Sequence, residues 1–222
     1  MNHNPSVKHT QVNIQGRDVT LAGNLAIPQG ARAIVIFAHG SGSSRHSPRN
    51  RFVADMLNEA NLATLLFDLL TPSEEVVDQR TSQFRFDIEL LAKRLTDTVD
   101  WVGHQSQIRE LSVGLFGAST GAAAALVTAA ERPDAVNAIV SRGGRPDLAG
   151  DALRRVKAPT LLIVGGLDTP VIELNRQASM SMGAQNVIEI VPGATHLFEE
   201  PGKLDEVASL ARDWFGQYTG SE

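Results

Sequence analysis

The chain has 222 residues, 42% of them hydrophobic, and its 20 Lys and Arg against 25 Asp and Glu give a net charge of −5. This length predicts one globular domain, residues 1–222, with a sizeable core. The negative charge argues against nucleic acid or an anionic membrane as a partner. Because the sequence contains no cysteine, it excludes disulfides, a thiolate nucleophile and cysteine-ligated metals.

The sequence carries no signal for export or for membrane insertion. The first seven residues, Met1–Val7, are polar, so no secretory signal is predicted. The longest run of small apolar residues, Ala122–Val127, is too short to cross a bilayer. We therefore expect a cytoplasmic protein without a membrane partner.

The predicted elements begin with two runs, Gln11–Ile14 and Asp18–Ile27, which are expected to form an antiparallel pair. Short apolar runs without clear alternation follow, and they predict strands that are buried on both faces. These six strands are Ala33–Ala38, Leu62–Phe67, Leu111–Phe116, Val136–Ser141, Thr160–Val164 and Val187–Val191. The predicted helices are Asn50–Glu59, Phe84–Val102, Thr120–Glu131, Asp147–Arg154, Val171–Ser181 and Lys203–Phe215.

The alternation of strands and helices predicts an α/β fold with a mostly parallel, eight-stranded sheet and helices on both faces. In such a sheet, ligand-binding loops lie at the carboxyl ends of the strands. The longest polar connection, residues 71–83, follows a strand and is expected to help wall the site.

The sharpest motif is G-x-S-x-G, from Gly117 to Gly121, between a predicted strand and a predicted helix. Such a turn is tight enough to strain the serine backbone and to present its hydroxyl outward, and only glycine fits at the flanking positions. Ser119 is therefore the predicted nucleophile.

A serine hydroxyl becomes a good nucleophile only when a base removes its proton. His196 follows the last predicted strand and is the expected base. Of the other histidines, two precede the core (His3 and His9), one lies at the opposite sheet edge (His104), and two share the third-strand loop (His39 and His46).

The base needs a carboxylate that orients its imidazole ring. Asp168 is favoured because it follows the strand Thr160–Val164 closely, after two glycines. Asp147 is the alternative, although its position suits a helix N-cap. Asp68 precedes the serine in the chain and is interpreted as structural.

Acyl chemistry also needs N–H donors for the developing oxyanion. The amide of Thr120, directly after the serine, is one predicted donor. The second is Ser41, in the small-residue loop after the third strand, and its neighbour Gly42 is the alternative.

Together these segments resemble an α/β-hydrolase, and within that superfamily the dienelactone hydrolase family. The resemblance is carried by His39 to Gly42, the turn at Ser119, Gly165 to Asp168, and Gly193 to His196. It implies a Ser-His-Asp triad and no cofactor or metal. It also implies an open site without a lid domain, because residues 142–159 hold only a short loop and helix. The family's namesake enzymes use a cysteine nucleophile, so the serine favours general esterase chemistry.

Several arginines follow strands at the same predicted edge and could hold an anionic substrate group, namely Arg142, Arg145 and Arg45, with Arg49 and Arg51 beside the last. The alternative is that they pair with Asp147, Asp151 and loop carbonyls.

The functional hypothesis is a serine hydrolase that cleaves a small ester, thioester or lactone through an acyl-enzyme. Acyl transfer and a ligand-binding module with a vestigial triad are the alternatives. A dinucleotide site is disfavoured because neither a G-x-G-x-x-G after an early strand nor a phosphate loop is present. The expected partner is a small acyl substrate, and the sequence does not predict an oligomeric state.

Overall fold

The computed structural model of the protein describes residues 6–220 and contains the predicted eight-stranded sheet. The strands are β1 Val7–Gln15, β2 Thr20–Pro28, β3 Ala33–Ala38, β4 Leu62–Phe67, β5 Ser112–Ala118, β6 Val136–Arg142, β7 Thr160–Gly165 and β8 Asn186–Val191. Their order in the sheet is β1-β2-β4-β3-β5-β6-β7-β8. β2 pairs antiparallel with β1 and β4, and all other neighbours are parallel. Residues 1–5, which include His3 and most of the segment tested for a secretory signal, lie outside the described residues.

The helices are α1 Pro48–Glu59, α2 Pro72–Thr81, α3 Ile88–Gly103, α4 Thr120–Glu131, α5 Thr169–Ser181 and α6 Lys203–Thr219, with a 3-10 segment at Pro146–Arg155. Within residues 6–220, none of them has the length and apolar character that a bilayer-crossing helix needs.

The sheet separates two apolar layers. Alternate side chains of β3 enter opposite layers, as Ile34 and Ile36 do on one side and Val35 and Phe37 on the other. One layer contains residues of α3, α4, α5 and the 3-10 segment, and the other contains residues of α1 and α6. Burial on both faces explains why this strand reads as a continuous apolar run. Helices on both faces of the sheet were predicted correctly.

One predicted segment is wrong in its secondary structure, and one helix was not predicted. The helix expected at Asp147–Arg154 is a 3-10 segment interrupted at Gly150, whose φ of 54° is left-handed. Asp147 is therefore not an N-cap: it lies inside the first turn and accepts a fork of hydrogen bonds from Arg145. The polar connection 71–83 contains α2, which was not predicted, and α2 walls a cleft beside the site.

α2 is held mainly by polar contacts. At its N-terminus, Thr71 and Glu74 form a reciprocal capping box. At its C-terminus, the fully buried carboxylate of Asp78 accepts hydrogen bonds from the N–H groups of Phe84 and Arg85 and from the Arg85 guanidinium, at 2.7–2.9 Å. These hydrogen bonds outweigh the effect of burial and lower the pKa of Asp78.

The packing of α6 on the sheet gives a first prediction. A methyl group added to Gly114 of β5 would lie 2.6 Å from the ring of the fully buried Phe215. We expect Gly114→Ala to lower the free energy of unfolding by about 1–3 kcal/mol, measured by urea denaturation. Adding Phe215→Leu to Gly114→Ala should recover part of this loss.

The matched control is Gly103→Ala. Gly103 is the last residue of α3, and an added methyl group there meets no heavy atom within 4 Å. This variant should be as stable as the native protein or up to about 1 kcal/mol more stable. If Gly114→Ala were as stable as Gly103→Ala, α6 would not pack on β5 in the way described.

Candidate active site

The turn between β5 and α4 places Ser119 at the carboxyl edge of the sheet. Ser119 has φ 51° and ψ −120°, a backbone conformation that is strained for any residue with a side chain. A methyl group on Gly117 would lie 2.4 Å from the Cα of Ala122, and one on Gly121 would lie 2.2 Å from the carbonyl oxygen of Ala38. Both glycines are therefore required by close backbone approach.

Backbone hydrogen bonds tie this turn to the loop after β6. The N–H of Ser119 donates to the carbonyl of Arg142 at 3.3 Å, and the N–H of Arg145 donates to the carbonyl of Ser119 at 3.1 Å. The strained serine is thus fixed from the neighbouring strand as well as from its own helix.

His196 and Asp168 form a hydrogen-bonded pair at the same edge. His196 Nδ1 lies 2.6 Å from Asp168 Oδ2, and the side chains are 40% and 14% exposed respectively. If Nδ1 donates to the carboxylate, Nε2 is free to accept a proton. Asp168 stands at the N-cap position of α5, but its side chain pairs with His196 and does not cap the helix.

The two loops that carry this pair are packed together. The N–H of Leu167 donates to the carbonyl of Ala194 at 3.0 Å, and a methyl group on Gly165 would lie 2.5 Å from that same carbonyl oxygen. Gly143, with φ 50°, faces the imidazole, and a methyl group there would lie 3.4 Å from Cε1 of His196. Gly143, directly after β6, and Gly165, the last residue of β7, therefore allow the loop that carries His196 to lie close to the sheet.

The loop after β3 packs on the serine. A methyl group on Gly40 would lie 3.1 Å from Cβ of Ser119. The N–H of Ser43 closes a turn onto the carbonyl of Gly40 at 3.2 Å, with Gly42 at φ 66°. The hydroxyls of Ser41 and Thr120 are 3.1 Å apart, so the two loops that carry the predicted oxyanion donors are in contact.

The backbone N–H groups of these loops are available for a ligand. Among residues 6–220, the N–H groups of Ser41, Gly42 and Thr120 have no acceptor. Thr120 is the first residue of α4, where an N–H has no partner within the helix. The structure is therefore consistent with Thr120 as one donor and with Ser41 or Gly42 as the other.

His39 supports the loop after β3 through both of its ring nitrogen atoms. Its Nε2 accepts a hydrogen bond from the N–H of Leu69 at 3.0 Å, so Nδ1 carries the proton and donates to the carbonyl of Gly40 at 3.0 Å. Burial lowers the pKa of His39, despite the smaller opposing effects of Gly40 and the Asp68 charge. His39 is therefore neutral, and its role is one that its adjacency to Gly40 in the sequence could have suggested.

Ser119 and His196 line one cavity of about 200 Å³. The other lining residues come from the loops after β3 and β8, from the last residues of β5 and β6 and from the start of α1: Gly40, Ser41, Ser43, Ser47, Arg49, Asn50, Ala118, Arg142 and Leu197. A cleft of about 660 Å³ adjoins it and shares Ser41, Ser43, Ser47 and Arg49 with it. In the described part of the chain, no three His, Asp or Glu side chains are grouped to hold a metal ion.

The structure separates the candidate arginines. Arg145 binds Asp147 through two hydrogen bonds of 2.7 and 2.8 Å, and Arg45 forms an ion pair with Asp68. Neither lines the cavity that contains Ser119 and His196, whereas Arg142 does. Arg49, which the sequence places near Arg45, lies at the start of α1 and lines the same cavity.

Comparison with known proteins finds a matching family model and solved structures of the same fold. The model of the dienelactone hydrolase family matches residues 21–218. The crystal structure of a dienelactone hydrolase from Anabaena variabilis is 57% identical, with a TM-score of 0.95, and covers 98% of this chain and 100% of that one. A dienelactone hydrolase-like promiscuous phosphotriesterase from metagenomic libraries has the same fold at 16% identity, with a TM-score of 0.77 over 97% of this chain and 100% of its own.

Curated relatives from Mycobacterium tuberculosis are named putative phosphoribosyl transferases. They are 57% identical over 211 residues, which is 95% of this chain and 47% of theirs. The chain thus spans about half the length of these relatives, and their name describes the longer proteins.

The strain at Ser119 gives a second prediction, which compares Ser119→Gly with Ser119→Ala. Glycine adopts a positive φ without strain, whereas alanine keeps the strained backbone. We expect Ser119→Gly to exceed Ser119→Ala by about 1 kcal/mol in free energy of unfolding, measured by urea denaturation. At ordinary helix or strand positions the order is the reverse, so a more stable alanine variant would contradict the strained conformation.

The buried neutral His39 gives a third prediction, on pH. Because its folded-state pKa is below the ordinary value near 6.5, the unfolded chain takes up a proton first as the pH falls. His39 therefore makes the native protein lose stability as the pH drops below 6.5. In His39→Gln, the free energy of unfolding should fall less between about pH 7.5 and pH 5.

The matched control for this titration is His9→Gln. His9 is exposed on β1. This variant removes an exposed imidazole, and its pH dependence of stability is the reference for that of His39→Gln. If His39→Gln kept the full native dependence, the buried imidazole would not be its source.

Proposed function

The chain belongs to the dienelactone hydrolase family, and from that premise we propose that it is a serine hydrolase that cleaves small ester, thioester or lactone substrates. One observation carries the proposal. The serine stands at a strained turn, in the same cavity as a histidine whose Nδ1 lies 2.6 Å from the carboxylate of Asp168. Backbone strain of this kind persists only where the surrounding structure holds the residue in place, and it is concentrated at active sites.

In the proposed reaction, Ser119 Oγ attacks the substrate carbonyl while Nε2 of His196 takes the hydroxyl proton. The carboxylate of Asp168 holds the imidazole and stabilises its charged form. His196 then gives the proton to the leaving alcohol or thiol, which departs. His196 then deprotonates a water molecule, which attacks the acyl carbonyl. The bond from that carbon to Ser119 Oγ breaks, Oγ takes the proton back from His196, and the acid is released.

The oxyanion formed in each step would be bound by the N–H of Thr120 and by that of Ser41 or Gly42. The donor from Ser41 or Gly42 needs no reorganisation during the reaction, because the turn at Gly40 and the hydrogen bond from Leu69 to His39 already fix the loop after β3. The N-terminal end of α4 adds a positive partial charge at the same place.

The size of the catalytic cavity, about 200 Å³, favours small acyl groups. Between β6 and β7 the described chain holds only the 3-10 segment, so no lid domain covers the site in residues 6–220. The partly exposed Leu197, next to the base, provides apolar surface at the cavity. A small-molecule acyl substrate is therefore part of the proposal, and a cytoplasmic location stays a prediction.

The Anabaena relative is named a dienelactone hydrolase, but the sequence has no cysteine to serve as the nucleophile of the namesake enzymes. Ester hydrolysis by a serine is therefore the main proposal. Acyl transfer to an alcohol or amine would use the same residues, and product analysis with added acceptors distinguishes the two. Phosphoribosyl transfer is the activity named for the longer mycobacterial relatives, of whose length this chain spans 47%.

The fourth prediction tests the nucleophile without assuming a substrate. A small fluorophosphonate should add once to the native protein and not to Ser119→Ala, as measured by intact-mass analysis. For any ester that the native protein hydrolyses, Ser119→Ala should lower kcat by about 10⁶.

The control for this test is Ser43→Ala. Ser43 is a second serine of the cavity, and its variant should be labelled like the native protein. Labelling that persists in Ser119→Ala, or a folded native protein that takes up no label, would contradict the proposed mechanism. The second of these outcomes would favour the ligand-binding module.

A further inference from the structure

A fully buried amide lies on the helix that begins after Asp168. Asn175 belongs to α5, and its exposed fraction is 0%. The other buried residues of this helix, Val171 and Ala178, are apolar. Asp168 stands at the N-cap position, seven residues before Asn175, so the two residues lie on the same face of the helix, about two turns apart. The amide is thus a polar group in a stripe where an apolar side chain is expected.

The side chain of Asn175 binds main-chain carbonyl groups. Its Nδ2 donates to the carbonyl of Val171, one turn back in α5, at 2.8 Å and to the carbonyl of Gly144 at 3.1 Å. Its Oδ1 is fully buried and has no hydrogen-bond partner in residues 6–220. A buried oxygen without a donor lowers stability, so stability alone does not explain the amide. The hydrogen bond to Gly144, which reaches another segment, indicates its role.

The segment that Asn175 binds, residues 143–145 directly after β6, runs between the serine turn and the imidazole. At one end, the N–H of Arg145 donates to the carbonyl of Ser119 at 3.1 Å. At the other end, a methyl group on Gly143 would lie 3.4 Å from Cε1 and 3.5 Å from Nδ1 of His196. A displacement of this segment would therefore disturb the serine turn and the surroundings of the imidazole together.

The middle of this segment is held by Asn175. The N–H of Gly143 is fixed by the carbonyl of Ile163 in β7, at 2.8 Å. Gly144 packs on α4, since a methyl group on it would lie 2.6 Å from Cβ of Ala122. Within residues 6–220, Asn175 is the one side chain that donates a hydrogen bond to the main chain of residues 143–145. Its loss would leave the buried carbonyl of Gly144 without this donor.

On the basis of the proposed hydrolase function, we propose that Asn175 is a positioning residue of the active site. By holding Gly144, it fixes the segment that sets the imidazole of His196 relative to Ser119. The same helix orients this imidazole through Asp168, so α5 acts on the base both through the carboxylate and through the segment beside the ring. Asn175 does not line the cavity that contains Ser119 and His196, so it acts through that segment and not by touching substrate.

The fifth prediction concerns Asn175→Leu, which keeps the approximate size of the side chain and removes the donor. The second-order rate of labelling by a small fluorophosphonate should fall by about 10- to 100-fold, because misplacing reacting groups by about 1 Å costs this much. For any ester that the native protein hydrolyses, kcat should fall while KM changes little. Asn175→Ala removes the donor without adding bulk. It should behave in the same way, and it replaces the leucine variant if that variant does not fold.

The matched control is Asn58→Leu. Asn58 is also buried, and its Nδ2 donates to the carbonyl of Leu62 at 2.9 Å, but at the opposite edge of the sheet, where β4 begins. Both substitutions remove a buried amide and should lower the melting temperature. Only Asn175→Leu should slow labelling of the folded protein. Equal labelling rates in the two variants would mean that Asn175 is merely structural, and they would overturn the proposal.

A spectroscopic measurement separates the positioning role from the hydrolase itself. The proton NMR resonance of Cε1 of His196, identified by its loss in His196→Gln, reports the surroundings of the imidazole beside Gly143. It should shift in Asn175→Leu and stay unchanged in Asn58→Leu. An unchanged resonance in Asn175→Leu would overturn the positioning role. A shifted resonance, combined with a native protein that takes up no fluorophosphonate, would support the hold of Asn175 on the imidazole and overturn the hydrolase.

Discussion

The close backbone approach at the turn between β5 and α4 is the constraint on which the site depends. Gly117 and Gly121 allow the chain to reverse against Ala122 and Ala38 with no room for a methyl group. This reversal holds Ser119 at a positive φ, in the strained turn typical of a nucleophilic serine. The strain is stable because the apolar layers on both faces of the sheet hold β5 and α4 in place.

The other parts of the site are positioned by loops that pack on this turn and on one another. Gly40 allows the loop after β3 to pack on Ser119, and Gly143 leaves room for the imidazole of His196. The loops that carry Asp168 and His196 are joined by backbone hydrogen bonds, so the pair is oriented by main chain as well as by its own contact. A site assembled in this way needs no metal for its proposed chemistry, since every proton transfer is assigned to the imidazole.

The sequence predicted the parallel sheet and the segments that meet at its edge, because buried strands and the G-x-S-x-G turn leave strong local patterns. The roles of Ser119, His196 and Asp168 stay predictions, although the structure brings them together. α2 was missed because its residues are polar and show no apolar stripe, and it is held by a cap and a buried carboxylate. The sequence also could not show which arginine lacks an acidic partner. Arg142 ends β6 and Arg145 follows it closely, and only the position of Asp147 in the structure, paired with Arg145, distinguishes them.

α2 is attached to the domain mainly by polar contacts. The helix walls the cleft beside the catalytic cavity, yet neither apolar layer contains a residue of it. Its last turn is fixed by Asp78 and Arg85, through ionic contacts made within one short stretch of chain. We therefore expect substitutions and local opening in the last turn of α2 to disturb the two apolar layers little. Because α2 walls the cleft, such changes would alter the width of the cleft while the sheet and the serine turn stay the same.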